Sequence, residues 1–141
     1  MINVTVSVVI EKPIAKIIPY ATDQRYVSKW QKAVTSVEAP VDPLVKGSKF
    51  VQGRKFMGKE FKTTYEVLEM DPCFRFKSTG GPIGIEVDTC FESVGTGTRM
   101  TSNIQAEANG FFKVAEGLLA RQLQAEMDEG FLVFKDLMEK M

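Results

Sequence analysis

An α+β fold, a curved antiparallel sheet closed by one long C-terminal helix, is predicted by three features of this 141-residue chain. Residues 1–108 read as short alternating strands separated by tight turn signals. Hairpins within that stretch agree on one apolar inner face. The last third, Asn109 to Met141, reads as a single amphipathic helix.

Ile2, Val4, Val6, Val8 and Ile10 alternate with Asn3, Thr5 and Ser7, the pattern of a half-buried strand. Pro13 opens a short helix over Ile14 to Ala21, with Ile14, Ile17 and Ile18 as its stripe and Pro19 placed to bend or end it. Asp23 can cap a second short helix through Tyr26, Val27 and Trp30. Trp30 is expected at the junction of these helices with the sheet. A strand at about Lys32 to Glu38 precedes a proline-bearing loop, Ala39 to Gly47. From Ser48 to Glu107, turn signals at Met57-Gly58, Met70-Asp71-Pro72, Gly80-Gly81 and Gly95-Thr96 mark a meander.

Registers follow from those turns. Gly80-Gly81 as a two-residue turn sets Phe74 opposite Val87, Phe76 opposite Ile85 and Arg75 opposite Glu86. Gly95-Thr96 sets Phe91 opposite Met100, Val87 opposite Ile104 and Glu92 opposite Arg99. Met70-Asp71 sets Val67 opposite Phe74 and Glu66 opposite Arg75. Apolar meets apolar on one face and opposite charges meet on the other. Cys73 and Cys90 fall diagonally on the outer face, so reduced, structural cysteines are expected.

Turning 100° per residue from Phe111, one helix face collects Phe112, Ala115, Leu119, Leu123, Val133, Phe134, Leu137 and Met141. Glu126 and Gly130 fall within the same arc. A mid-helix glycine costs roughly 1 kcal/mol against alanine, and an unpaired buried carboxylate is also costly. Both point to a cavity or a close approach rather than a solid core.

Extending the register through Met57-Gly58 puts Phe50, Gln52 and Arg54 inside, opposite Tyr65, Thr63 and Phe61. The apolar inner face then continues through Val67, Phe74, Phe76, Ile83, Ile85, Val87, Phe91, Met100 and Ile104. Among these stand Gln52, Arg54, Thr63, Tyr65, Ser78, Thr89 and Ser102, more hydrogen-bonding groups than a simple core carries. A ligand or water in a cavity would satisfy them. The expected ligand-binding set is therefore Gln52, Arg54, Thr63, Tyr65, Phe76, Ile85, Val87, Ser102 and Ile104 from the sheet. Phe112, Leu119, Leu123, Glu126 and Gly130 join it from the helix.

Composition narrows the function. The 18 basic and 18 acidic residues balance, without the basic stripe that nucleic acid requires. Histidine is absent, which removes the commonest general base and metal ligand; no metal site and no cofactor are expected. No apolar run is long enough to span a bilayer, and Met1 leads directly into a strand, so a cytoplasmic single-domain protein, monomer or weak homodimer, is expected.

The order of these elements resembles the START-related SRPBCC superfamily, in particular the small single-domain members of its polyketide cyclase/dehydrase-like branch. The matching residues are the first strand, the Pro13-led helix, and the segment Thr22 to Trp30. Further matches are Val45 to Phe50, Phe56-Met57-Gly58, Tyr65 to Pro72, Gly95 to Arg99 and Leu137-Met138-Glu139. The resemblance implies a helix-grip fold, seven curved antiparallel strands around the C-terminal helix, with two short helices after strand 1. It also implies a cavity for a hydrophobic ligand. Members bind or transport lipids, sterols, quinones or plant hormones, and a few cyclise or dehydrate polyketides. No universal catalytic motif accompanies the fold, so function must come from the site.

The leading expectation is binding of a hydrophobic or amphipathic small molecule of the lipid, polyketide or isoprenoid class. A cyclase or dehydratase is the alternative, with Glu126 or Tyr65 as general acid/base and Arg54 polarising a carbonyl or enolate oxygen. A third alternative is a protein-interaction module of the kind that assists a chaperone ATPase.

Overall fold

The computed structural model describes every residue except Pro82, and Phe111 by its backbone alone. Seven strands form one antiparallel sheet in the order β1-β7-β6-β5-β4-β3-β2. They are β1 (Ile2–Ile10), β2 (Val34–Glu38), β3 (Lys49–Phe56), β4 (Lys59–Glu69), β5 (Cys73–Gly80), β6 (Ile83–Val94) and β7 (Gly97–Ala108). Helix α1 (Ile14–Ala21) and a 3-10 turn (Val27–Lys29) follow β1, while α2 (Phe111–Val114) and α3 (Glu116–Glu139) close the chain. This is the helix-grip architecture. No helix among the described residues is long and apolar enough to cross a membrane.

The registers of β3–β4 and β6–β7 are those the turns dictate: Phe50 faces Tyr65, Gln52 faces Thr63, Val87 faces Ile104 and Phe91 faces Met100. At Met57-Gly58 both residues take positive φ, 53° and 79°, the two-residue turn whose twist suits flanking strands. The β5 registers differ from expectation. Phe76 pairs with Val87 and Phe74 with Thr89, while Val67 pairs with Phe76 across irregularities in β4. Gly80-Gly81 is therefore not a two-residue turn, because β5–β6 pairing stops at Lys77 and Glu86. The slip is by two residues, so the inner face keeps its apolar set.

That slip brings Cys73 directly opposite Cys90, and the two form a disulfide with Cα atoms 4.4 Å apart. The expectation of reduced cysteines is corrected.

The terminal helix is also not continuous. Ala115 leaves helical geometry between α2 and α3, with φ −95° and ψ 14°, so the helical phase counted from Phe111 does not carry through. The buried seam of α3 is Leu119, Met127, Gly130, Phe131, Phe134 and Met138, rotated by roughly 60° from the predicted face. Val133 and Met141 are exposed, as is Ile18 on α1. The side chain of Phe111 lies outside the described residues. Pro19 stays within α1, which ends at Thr22, whose hydroxyl donates to the Ile18 carbonyl at 2.8 Å.

α3 runs along the edge strand β1. Gln124 Nε2 donates to Thr5 O at 3.0 Å and Lys135 Nζ to Val9 O at 2.7 Å. Carbonyls that an edge strand would leave open thus meet helix side chains. Trp30 packs against Phe131 and Phe134, with ring centroids 5.8 and 4.9 Å apart.

Candidate functional site

Two apolar clusters form the interior. One joins α3 to β1 and β7 through Met100, Phe131 and Phe134; the other gathers Phe50, Tyr65, Phe74 and Phe76 on β3 to β5. Between them lies a cavity of about 110 Å³. Its wall is mainly aliphatic and aromatic, drawn from the inner faces of β4 to β7 and from Leu119, Leu123 and Met127 of α3.

A polar cluster occupies one side of this wall. Alternation along β3 places Gln52 and Arg54 inward. Arg54 Nη2 donates to Gln31 Oε1 at 2.5 Å and, more weakly, to Gln52 Oε1 at 3.5 Å. Gln52 Nε2 in turn donates to Gln24 Oε1 at 3.2 Å. Arg54 Nη1 stands 3.7 Å from Glu126 Oε1, and their side chains are only 24% and 18% exposed. Neither charge is bathed in water, and each offsets the other. On the sheet floor, the Thr89 and Ser102 hydroxyls share a 2.6 Å hydrogen bond.

Tyr65 is buried against the same space and stacks on Phe50 at 5.2 Å. Burial pushes its phenol pKa up, only partly countered by the nearby Arg54 cation and a hydrogen bond from Thr63. The phenol therefore remains protonated and available as a donor at neutral pH.

Of the predicted ligand-binding residues, Gln52, Arg54, Tyr65, Phe76 and Ile85 line the cavity, as do Val87, Ser102, Ile104, Leu119 and Leu123. Four do not. Thr63 is buried on β4 opposite Gln52, two residues from Tyr65, and Phe112 packs on Phe56 and Phe61. Glu126 sits at the helix flank, holding Arg54 and accepting from Gln122 at 3.4 Å, because the rotated seam moves position 126 off the inner arc. Gly130 lies against the Trp30 backbone: a Cβ there would stand 2.8 Å from the Trp30 carbonyl oxygen. Its role is close approach.

Gln24, Gln31 and Trp30 also line the cavity, and sequence reasoning did not assign them to it. A signal existed. Ala21, Gln24, Val27 and Trp30 recur at every third residue, three of them apolar, and the structure buries all four. Outside the cavity, Cys73, Asp88 and Cys90 offer ligand atoms within 4.8 Å of one another. The disulfide removes the thiolates that a metal would need.

A model of the family described as polyketide cyclase / dehydrase and lipid transport matches residues 1–139. The chain belongs to this family. Among solved structures, TTHA0849 from Thermus thermophilus is similar at 20% identity and TM-score 0.81, covering 96% of each chain. A conserved protein from Geobacillus kaustophilus is similar at 18% identity and TM-score 0.74, covering 98% of this chain and 95% of that one. Major latex-like protein 151 from Panax ginseng is similar at 14% identity and TM-score 0.59, covering 90% and 96%. Likeness at such identities establishes the fold alone. Comparison with curated proteins finds no significant match. Membership in the polyketide cyclase/dehydrase and lipid transport family supports, in general terms, the handling of hydrophobic small molecules.

Proposed function

We propose that this protein binds a compact hydrophobic or amphipathic molecule, of the lipid, polyketide or isoprenoid class, between sheet and α3. The cavity of about 110 Å³, apolar with one polar side, carries this reading. For scale, an apolar cavity of ~150 Å³ in another protein accepts benzene. The space is smaller than that, so a ring-sized group already requires lining side chains to give a little, and a longer guest requires them to move. Met127, unbranched and adaptable, is the lining residue best suited to do so.

Binding ranks ahead of catalysis because the Glu126 carboxylate is held by Arg54 outside the lining, which leaves Tyr65 as the one named acid/base candidate that borders the cavity. A general acid must reach the reacting atoms. Native mass spectrometry of protein purified from its own cells is expected to show a co-purifying apolar compound. In solution, benzene is expected to shift amide resonances of cavity-lining residues. Adducts absent in the first measurement and no shifts in the second would refute the proposal.

A further inference from the structure

Arg54 has only N–H donors, so its neighbours must offer it acceptors. Gln31 and Gln52 each turn a side-chain carbonyl toward it. Gln52 is then left with its amide N–H groups for Gln24, whose carbonyl accepts them. One cation thereby sets the sense of three buried carboxamides, and all three carbonyls are engaged within the relay. Each carbonyl oxygen keeps a second lone pair but already has a partner, whereas Arg54 Nη1 has none.

The rest of the wall repeats this imbalance. Thr89 and Ser102 have two hydroxyl protons and one shared bond, which leaves one proton for another acceptor. Tyr65, whose phenol stays protonated, borders the same cavity. Among the described residues, the buried side-chain polar atoms without a hydrogen-bond partner are Trp30 Nε1 and Arg54 Nη1, both donors. Glu126 already balances the Arg54 charge, so a full negative charge on the guest would have no free cation to meet.

We infer that the cavity selects guests bearing an uncharged hydrogen-bond acceptor, such as a carbonyl, ether or ring nitrogen, over guests bearing a donor. The inference rests on the binding proposal above and adds the polarity of the ligand's functional group. An acceptor placed here would engage a buried donor that now has no partner or the free proton of the hydroxyl pair, whereas a guest donor would meet only oxygens that are already engaged.

The test titrates the isotope-labelled full chain with benzene, pyridine and pyrrole, at a pH where pyridine is unprotonated. These rings are similar in size; they offer no conventional hydrogen-bonding group, an acceptor and a donor, respectively. Each dissociation constant is referred to that ring's own transfer from water to hydrocarbon. Pyridine is expected to bind about fivefold or more tightly than pyrrole on that scale, one hydrogen bond's net worth. Tyr65→Phe and Arg54→Met are each expected to shrink the ratio. Equal binding, a preference for pyrrole, or a ratio unmoved in both variants overturns the inference while benzene still binds. If none of the three rings binds, the inference is overturned as well, and the binding proposal falls with it where no apolar compound co-purifies.

Discussion

Gly130 shows how one position can carry a reading and still mislead about its purpose. A glycine on the apolar side of a helix signals that something needs room. The occupant is the Trp30 backbone rather than a ligand, since a Cβ would come within 2.8 Å of its carbonyl oxygen. Gly130→Ala would gain about 1 kcal/mol in helix propensity. It would lose ~1–3 kcal/mol to overpacking against backbone that cannot swing aside. A net loss of about 1 kcal/mol is expected, read as a lower denaturant midpoint; a variant as stable as the parent would refute the close-approach role. Arg54 and Glu126 were legible as unusual residues on apolar faces. Their pairing across β3 and α3 was not, because no local pattern reports which residues meet between distant elements.

α3 is tied at its end as well as along its seam. Glu139 accepts from Lys135 at 2.6 Å and from the Glu11 amide at 2.8 Å, and these hydrogen bonds, the first above all, hold its carboxyl below the usual carboxylate range. A lowered folded pKa means the contribution is present above the ordinary unfolded value. It is lost as pH falls through the lowered folded one. Acidification is therefore expected to lower exchange protection, taken relative to the intrinsic rate at the same pH, in the last turns of α3 before the core opens. Glu139→Gln should show the lower protection already at neutral pH; identical protection in variant and parent would contradict the tether. The β5–β6 hairpin makes a parallel point. Its disulfide spans 17 residues, and closing a loop near that size stabilises by about 3 kcal/mol in the chain-entropy picture. Reductant should lower the unfolding midpoint of the parent and leave the Cys73→Ser/Cys90→Ser double variant unmoved. Equal sensitivity of both proteins would show that the sulfurs are not bonded.

Across the molecule, the cavity arises because two apolar clusters form without merging. α3 packs on the β1 side of the sheet, where Met100, Phe131 and Phe134 fill the contact completely. On the other side Phe50, Tyr65, Phe74 and Phe76 pack among themselves. Ile85 and Val87 touch both groups and border the remaining space. Filling that space should move stability and binding in opposite directions. Val87→Phe is expected to raise stability by about 1 kcal/mol while abolishing benzene uptake. A variant that still binds benzene like the parent would place the guest elsewhere.

Alternation, turn residues and helical spacing, read along the chain, were sufficient for the α+β class, the order of elements, and which strand faces turn inward. Those signals are local, and a two-residue slip in β5 left the facing set unchanged because strand side chains repeat every two residues. The disulfide, the break before α3 and the rotated seam depended on the three-dimensional arrangement. So did the glutamine relay around Arg54. Each turns on register across a hairpin or on helical phase through an interruption, where a shift of a residue or two changes the partner without changing the pattern.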